Sequence, residues 1–424
     1  MLFYINLYTF LIGISKAAYT ALFNLYLRSA SYGNQVVGKA TFYYSWGIAI
    51  GGLVFSSISD RIGRKTTLLL TMPLFSLFGF LRLYPMPVFW LYLFSFLFGF
   101  FDTSIIIQNI SVIENSDEKK RLRNSNINFA IVMLTGVIGY LGSGILSEKI
   151  GLKESLKISM LISVVSLLPL LKLPKVTVNL KKAAPILNLV QLIILIYYLT
   201  SSALVSAAAG IFINFGNVIF LDLFAFSAPA ITLVLTISQL STAITSLFSH
   251  KLTKKFGFKF SLFFFYLLVT ILIFAMPAIM NRPVYFTLAY VLRYVLLNLT
   301  TPIFSVFCLS YLPNSFLATF SGVSYLLNNI MRATSAQIFS HLSNGETTNY
   351  SQLFFTTGIF YLTNTLLTLF TFIVVNVISQ QNINLQISLA LPKRKRRKVL
   401  IVSKINKPMK SSVHYHSHLA NRKR

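Results

Sequence analysis

The stretch "SSISDRIGRKTT", residues 56–67, places Asp60, Arg61, Arg64 and Lys65 within six positions, between two long apolar runs. A soluble protein would use such a cluster as a solvated turn. The rest of the chain decides against that setting. Of 424 residues, 55% are hydrophobic and only 11% charged, with 37 basic against 9 acidic residues. Soluble domains carry about a quarter charged residues. A transmembrane helix needs about 20 mostly apolar residues to cross roughly 30 Å of hydrocarbon, and such runs recur from end to end. The first starts at Leu2 and continues past residue 20, too long and unbroken for a cleavable signal peptide.

Twelve spans are predicted, at about 3–27, 37–59, 66–84, 88–113, 126–147, 155–172, 187–213, 226–250, 260–279, 284–311, 317–340 and 351–379. Asn214, Asn217 and Asp222 interrupt the run between 187 and 250, which reads as two helices joined around 214–225. Basic residues in short loops set orientation. With both termini cytoplasmic, the inner loops hold fifteen Lys and Arg before the tail is counted. The outer segments hold seven: Arg28, Lys39, Arg82, Lys149, Lys153, Lys157 and Arg282. A plasma-membrane protein with both ends inside is the expectation.

The net charge of +28 does not read as nucleic-acid binding, because twelve basic residues lie after residue 380 and most others sit between spans. Cys308 is the single cysteine, so a disulfide framework or cysteine metal site is not expected. His414, His416 and His418 lack an acidic or thiolate partner for zinc, and neither metal nor cofactor is expected.

The polar linker "KLPKVTVNLKKAAP", residues 172–185, divides the spans six and six. An internal repeat then appears at an offset of 194 residues. "SISDRIGRK" (57–65) aligns with "KLTKKFGFK" (251–259), "LYLRSASYG" (25–33) with "IFLDLFAFS" (219–227), and "RNSNINFAI" (123–131) with "LATFSGVSY" (317–325). Gly63 falls over Gly257, Lys65 over Lys259, and Arg28 over Asp222. The expected domains are a bundle at 1–171, a linker at 172–186, a second bundle at 187–380 and a basic tail at 381–424.

"SSISDRIGRK" resembles the loop signature of the major facilitator superfamily, Gly-x-Leu-x-Asp-Arg-x-Gly-Arg-Lys, between helices two and three. Asp60, Arg61, Gly63, Arg64 and Lys65 match it, with Ser56 and Ile58 as departures. "KLTKKFGFK", carrying Lys254, Lys255, Gly257 and Lys259, resembles its decayed copy. "SYLPNSFLATFSGVSYLLNN" (310–329) is similar to the stretch entering helix eleven, with Leu317 where arginine is usual. The resemblance implies an all-α membrane protein of twelve transmembrane helices, as two pseudo-symmetric six-helix bundles around a cavity exposed alternately to each side. In this family the signature loop latches the halves on the cytoplasmic side; a topology-setting turn is the plainer reading. Its basic residues also suit anionic headgroups.

Charges inside spans are expensive unless they face a cavity or partner. Lys16, Asp102, Arg293 and Arg332 fall in spans one, four, ten and eleven, which line the cavity in the resembled family. Three cations against one carboxylate favour an anionic substrate. Alternatively Asp102 carries a coupling proton and the cations are its counter-ions, or Asp102 pairs statically while Lys16 or Arg332 snorkels. Tyr19, Gln239, Asn328 and Asn329 are candidate hydrogen-bonding neighbours, or simply ties between helices. Ser95 stands four positions before Gly99 where drug antiporters of the family carry arginine, and "GVIGYLGSG" (136–144) lacks their Gly-Pro pair, which disfavours that subclass. The tail "LPKRKRRKV" (391–399) looks like a nuclear signal but suits a lipid-binding patch after a last span.

The expected function is thus a monomeric secondary transporter of a small solute. It would be ion-coupled, with a preference for an organic anion and protons as the candidate coupling ion. A multidrug efflux transporter and a non-transporting sensor or scaffold are the alternatives. No phosphate-cradling Gly-x-x-x-x-Gly-Lys-Ser/Thr loop is present for ATP, and no enzymatic chemistry is expected.

Overall fold

The computed structural model describes residues 2–114, 116, 121–173, 187–246, 248–309, 311, 317–345 and 347–390. In order these form α1 (Leu2–Ser29), α2 (Asn34–Ile62), α3 (Arg64–Leu81), α4 (Val88–Phe100), α5 (Ser104–Glu114), α6 (Arg121–Ile150), α7 (Leu152–Val165) and α8 (Leu167–Leu171). There follow α9 (Leu189–Phe224), α10 (Ala228–Ser246), α11 (Ser249–Phe256), α12 (Phe258–Ala275) with a 3-10 turn at Met276–Ile279, α13 (Pro283–Leu309) and α14 (Leu317–His341). A two-residue hairpin of β1 (Ser343–Asn344) and β2 (Thr347–Thr348) leads into α15 (Tyr350–Ala390). Residues 1–371 make one compact unit and 372–424 a second, in which the described part continues α15. The three tail histidines, the basic motif at 391–399 and most of the linker lie outside the described residues.

Each predicted span falls on helix, and among the described residues eight helices are long and apolar enough to cross a membrane by length and composition. Neither α2 nor α14 is among those eight, and these two pack extensively on each other. A helix face sheltered by another helix need not be apolar. A second long seam joins α6 to α10. Within the first eight helices, α2 and α4 approach closely because Gly47, Gly51 and Gly99 lie at the crossing. A Cβ on any of them would strike backbone atoms of Phe96, Phe100 or Tyr44.

The backbone carries the duplication directly. Among the described residues six have positive φ: Ser31, Gly63, Gly151, Ala225, Gly257 and Gly345. They form three pairs, Ser31 with Ala225, Gly63 with Gly257, and Gly151 with Gly345, each separated by the same 194 residues seen in the sequence alignment. Gly63 (φ 89, ψ 150) and Gly257 (φ 78, ψ 161) open α3 and α12 with one and the same turn. That region of φ/ψ space is essentially restricted to glycine.

Three expectations need correction. Asn214, Asn217 and Asp222 do not interrupt a helix; α9 runs through them to Phe224 and turns at Ala225. The side chains of Asn217 and Asp222 serve contacts with α1 and α2, described below, and that of Asn214 faces a small cavity; none marks a loop. Asp102 is not within a helix either, since the fourth span breaks at 101–103 between α4 and α5. Arg82, expected in an outer loop, is buried.

A Cβ at Gly257 would meet no neighbour within 4 Å, so any penalty there is backbone strain alone. Gly257→Ala should therefore destabilise by about 1–3 kcal/mol. Gly142→Ala, equally uncrowded but helical, should be neutral or stabilising by up to about 1 kcal/mol. Thermal unfolding of the two variants in detergent checks the contrast.

Candidate functional site

Near the middle of α1, Lys16 reaches the break after α4. Its Nζ lies 2.7 Å from both carboxylate oxygens of Asp102 and donates to Ser104 Oγ at 3.2 Å. Ser104 Oγ donates to Asp102 Oδ1 at 2.9 Å, and the hydroxyl of Tyr44 on α2 donates to Oδ2 at 3.1 Å. The α2–α4 glycine crossing brings Tyr44 within reach. Breaking the helix lets residues 102 and 104 turn to one target, and Thr103 Oγ1 meets Thr71 Oγ1 on α3 at 2.7 Å. Asp102 is fully enclosed, and four polar hydrogens converge on its oxygens.

Beside this pair, Arg82 is packed in rings. Its guanidinium carbon lies 3.7 Å from the Phe23 centroid, 4.7 Å from Phe98, 5.7 Å from Tyr19 and 6.0 Å from Tyr44. The predicted residue Tyr19 thus belongs here, with its hydroxyl donating to the Gly79 carbonyl at 2.9 Å. Among the described residues Arg82 forms no ion pair. A small cavity of about 50 Å³ adjoins it, shared with Lys16 and with Asn214 of α9.

A larger cavity of about 550 Å³ lies between α1, α6, α9, α10, α13 and α14. Arg293 and Arg332 line it, with Gln239, Asn298 and Asn328 among its amide groups. Arg293 donates to Tyr361 Oη at 2.8 Å and lies 4.7 Å and 4.8 Å from the rings of Phe212 and Tyr294. The Nε atoms of both arginines are buried without a hydrogen-bond partner. Among the described residues no acid lines this cavity, and neither arginine forms an ion pair. Gln239 Nε2 donates to the Met133 thioether at 3.3 Å, joining α10 to α6. Asn329 turns away, donating to the Tyr325 carbonyl at 2.9 Å. The four span charges therefore divide into a neutral pair, Lys16–Asp102, and two cavity cations.

One end of this cavity is clasped. Asn24 on α1 donates to the backbone oxygen of Asn214 at 2.6 Å, and Asn217 on α9 donates to that of Ala21 at 2.8 Å. Each asparagine grips the carbonyl three residues before its counterpart. Beyond them Asp222 collects Arg28 (3.6 Å), Asn34 Nδ2 (2.5 Å) and the Tyr350 hydroxyl (2.6 Å). The Asn34 backbone N–H donates to Gly345 O at 2.7 Å, and Ser340 Oγ to Gln35 O at 3.0 Å. Away from the clasp the cavity runs along α9 and α13 to Tyr198 and Phe304. Arg28 and Asp222, aligned by the repeat, meet in space.

The signature loop makes its described contacts within the first eight helices. Arg64 pairs with Asp60 at 2.5 Å and donates to Ser59, while Lys65 Nζ donates to the carbonyls of Leu171 and Leu173 at 2.6 Å each. Arg61 is exposed. At the second copy Lys254 and Lys255 are also exposed, and Lys259 is half-buried at the start of α12.

This geometry agrees with the comparisons. The family model described as Major Facilitator Superfamily matches residues 5–336. The chain belongs to the major facilitator superfamily. Among solved structures, the nucleoside transporter NupG is similar at 16% identity and a TM-score of 0.66, covering 88% of this chain and 98% of that one. A D-xylose-proton symporter gives 14%, 0.71, 87% and 96%, and the POT family transporter PepTSo 12%, 0.67, 90% and 98%. No curated protein matches in sequence. The chain is thus an all-α, multi-pass membrane protein with the superfamily's fold, and its kinship points to transport, not enzymatic catalysis.

Sequence reasoning missed Arg82, because a cation just after an apolar run looks like a loop residue. It could have been suspected from the aromatic residues of spans one and four.

Removing one partner of a buried ion pair strands the other charge, at about 3–5 kcal/mol. Lys16→Met and Asp102→Asn should each lower stability by that order. The double variant should recover to within about 1 kcal/mol of the parent, as buried pairs replaced together are often neutral. Thermal unfolding of all three reads the coupling.

Proposed function

We propose that this protein is a secondary active transporter that moves a small organic anion by alternating access, with α1–α8 rocking against the helices from α9 onward. The observation that carries the reading is the larger cavity. Two arginines line about 550 Å³ with no acid among the described lining residues. That volume suits a small metabolite. A buried cation without a counter-ion is costly in a low-dielectric setting, so an anionic cargo would complete the site. Hydroxyl and amide groups on α9, α10 and α13 would fix its orientation.

The basic-loop bias supports cytoplasmic termini in a plasma membrane, which makes the clasped face the outer one. The cavity then opens toward the cytoplasm in this state. Asp102 is the candidate proton carrier, exchanging its bond to Lys16 for a proton as the bundles move, and residues 1–171 and 187–380 are read as the two moving bodies. The signature loop and its copy, from Asp60 to Lys65 and Lys254 to Lys259, are read as the inner latch that forms in the opposite state. Their basic side chains would meet anionic headgroups, and a monomer suffices for the cycle.

Reconstitution into liposomes with an imposed pH gradient tests this, using organic anions, sugars and cationic dyes as cargo. Anions should accumulate, and Arg293→Gln and Arg332→Gln should each raise KM about ten- to hundredfold, the loss of one charge-assisted hydrogen bond. Movement of cations with anions inert would overturn the cargo class. If no cargo moves while the protein remains folded, the sensor or scaffold reading gains.

The clasp yields a second test. In a background where Cys308 is replaced by serine, Ala21→Cys places a thiol at the clasped end of the cavity. Adding Asp222→Asn should raise its labelling rate by an outer-face maleimide about tenfold, since the hub loses a charge and weakens several hydrogen bonds. An unchanged rate would mean that the hub does not hold this face shut.

A further inference from the structure

The small cavity beside Arg82 has its own electrostatics. Lys16 and Asp102 cancel, so the cluster retains the single positive charge of Arg82. Four aromatic rings surround that guanidinium, and ring faces attract a cation without neutralising it. Arg82 is 4% exposed and its Nε has no hydrogen-bond partner. On the facing helix, the side-chain Nδ2 of Asn214 is likewise buried without an acceptor. Both residues line the same cavity of about 50 Å³. Buried donors are rarely left unsatisfied, and here two of them, with an excess positive charge, share one space.

We propose that this cavity binds one small inorganic monovalent anion, of the size and charge of chloride. Volume decides the class. One water needs roughly 10–15 Å³ on this scale, so the space holds a few waters, or a halide with one or two. An organic carboxylate of metabolite size is too large for it. Charge excludes a cation, and water alone would satisfy the donors while leaving the charge of Arg82 unbalanced.

The placement gives the anion a role. Arg82 follows α3, whereas Asn214 lies on α9, beside its own backbone oxygen that Asn24 grips. An anion held between them bridges the two helix groups at the clasp, so it binds the clasped state and stabilises it. Raising the halide concentration then slows opening of that face. This goes beyond the cargo reading and uses different residues.

The test is thermal unfolding of the purified full-length protein in detergent, in sodium chloride, sodium bromide or sodium gluconate at equal ionic strength. A saturable rise in Tm with chloride and bromide, absent in gluconate, is expected. Arg82→Gln and Asn214→Leu should abolish it or weaken apparent affinity about tenfold or more, the loss of a hydrogen bond to a charged group. Arg293→Gln, in the larger cavity, should retain it. Should Arg82→Gln fail to fold, Asn214→Leu decides alone. A bromide-soaked crystal should show an anomalous peak between Arg82 and Asn214. Equal Tm in all three salts, water alone in the cavity, or an effect that follows Arg293 and ignores Asn214 would overturn the proposal. Because unfolding requires no transport, a failed organic-anion assay leaves this result standing.

Discussion

In hydrocarbon every buried cation needs an anion or a face of rings, and this chain has nine acids to set against 37 bases. That scarcity organises the interior. Asp102 gathers Lys16, Ser104 and Tyr44, drawing α1, α2 and the α4–α5 break to one point. Asp222 gathers Arg28, Asn34 and Tyr350, drawing α1, α2, α9 and α15 together at one end. Cations beyond this supply are housed otherwise. Arg82 and Arg293 lie against aromatic rings, and Arg332 borders the larger cavity. The cavities beside Arg82 and beside Arg293 and Arg332 are thus where the supply of counter-charge runs out, which is why their chemistry is informative about ligands.

The two acids do different mechanical work. Asp102 ties helices within the first group, so moving that group as a body does not by itself pull its partners apart. Asp222 ties α9 to residues of α1 and α2, so its contacts must break for the clasped face to open. Several bonds of about 1 kcal/mol each make a latch that is firm yet reversible, the range in which a ligand's binding energy shifts populations.

Much of this was legible in the sequence, and the failures share one cause. Gly63 and Gly257 were readable as paired turns because a backbone that only glycine tolerates leaves a mark at a fixed offset. Lys16, Asp102 and Arg293 were readable as buried charges because apolar runs surround them. Which of them pair was not readable, since Lys16 and Arg293 are equal candidates for Asp102 in one dimension. The polar residues of α9 were misread as a loop because hydropathy cannot tell a helix facing water from a helix facing another helix's carbonyls. Arg82 was misread for the mirror reason: Phe23 and Phe98, which shelter it, look the same as lipid-facing aromatics.

The pairing of Arg28 with Asp222 has a consequence for how such a molecule is built. The two residues occupy equivalent places in the two copies of the repeat, 194 positions apart. In a symmetric dimer of six-span chains, a contact on the two-fold axis sets each residue against its own twin. Arginine would face arginine there, and aspartate would face aspartate. Fusing the copies into one polypeptide lets a single mutation change the sign on one side only. Attraction between equivalent positions is therefore open to the fused chain and closed to its symmetric dimeric equivalent.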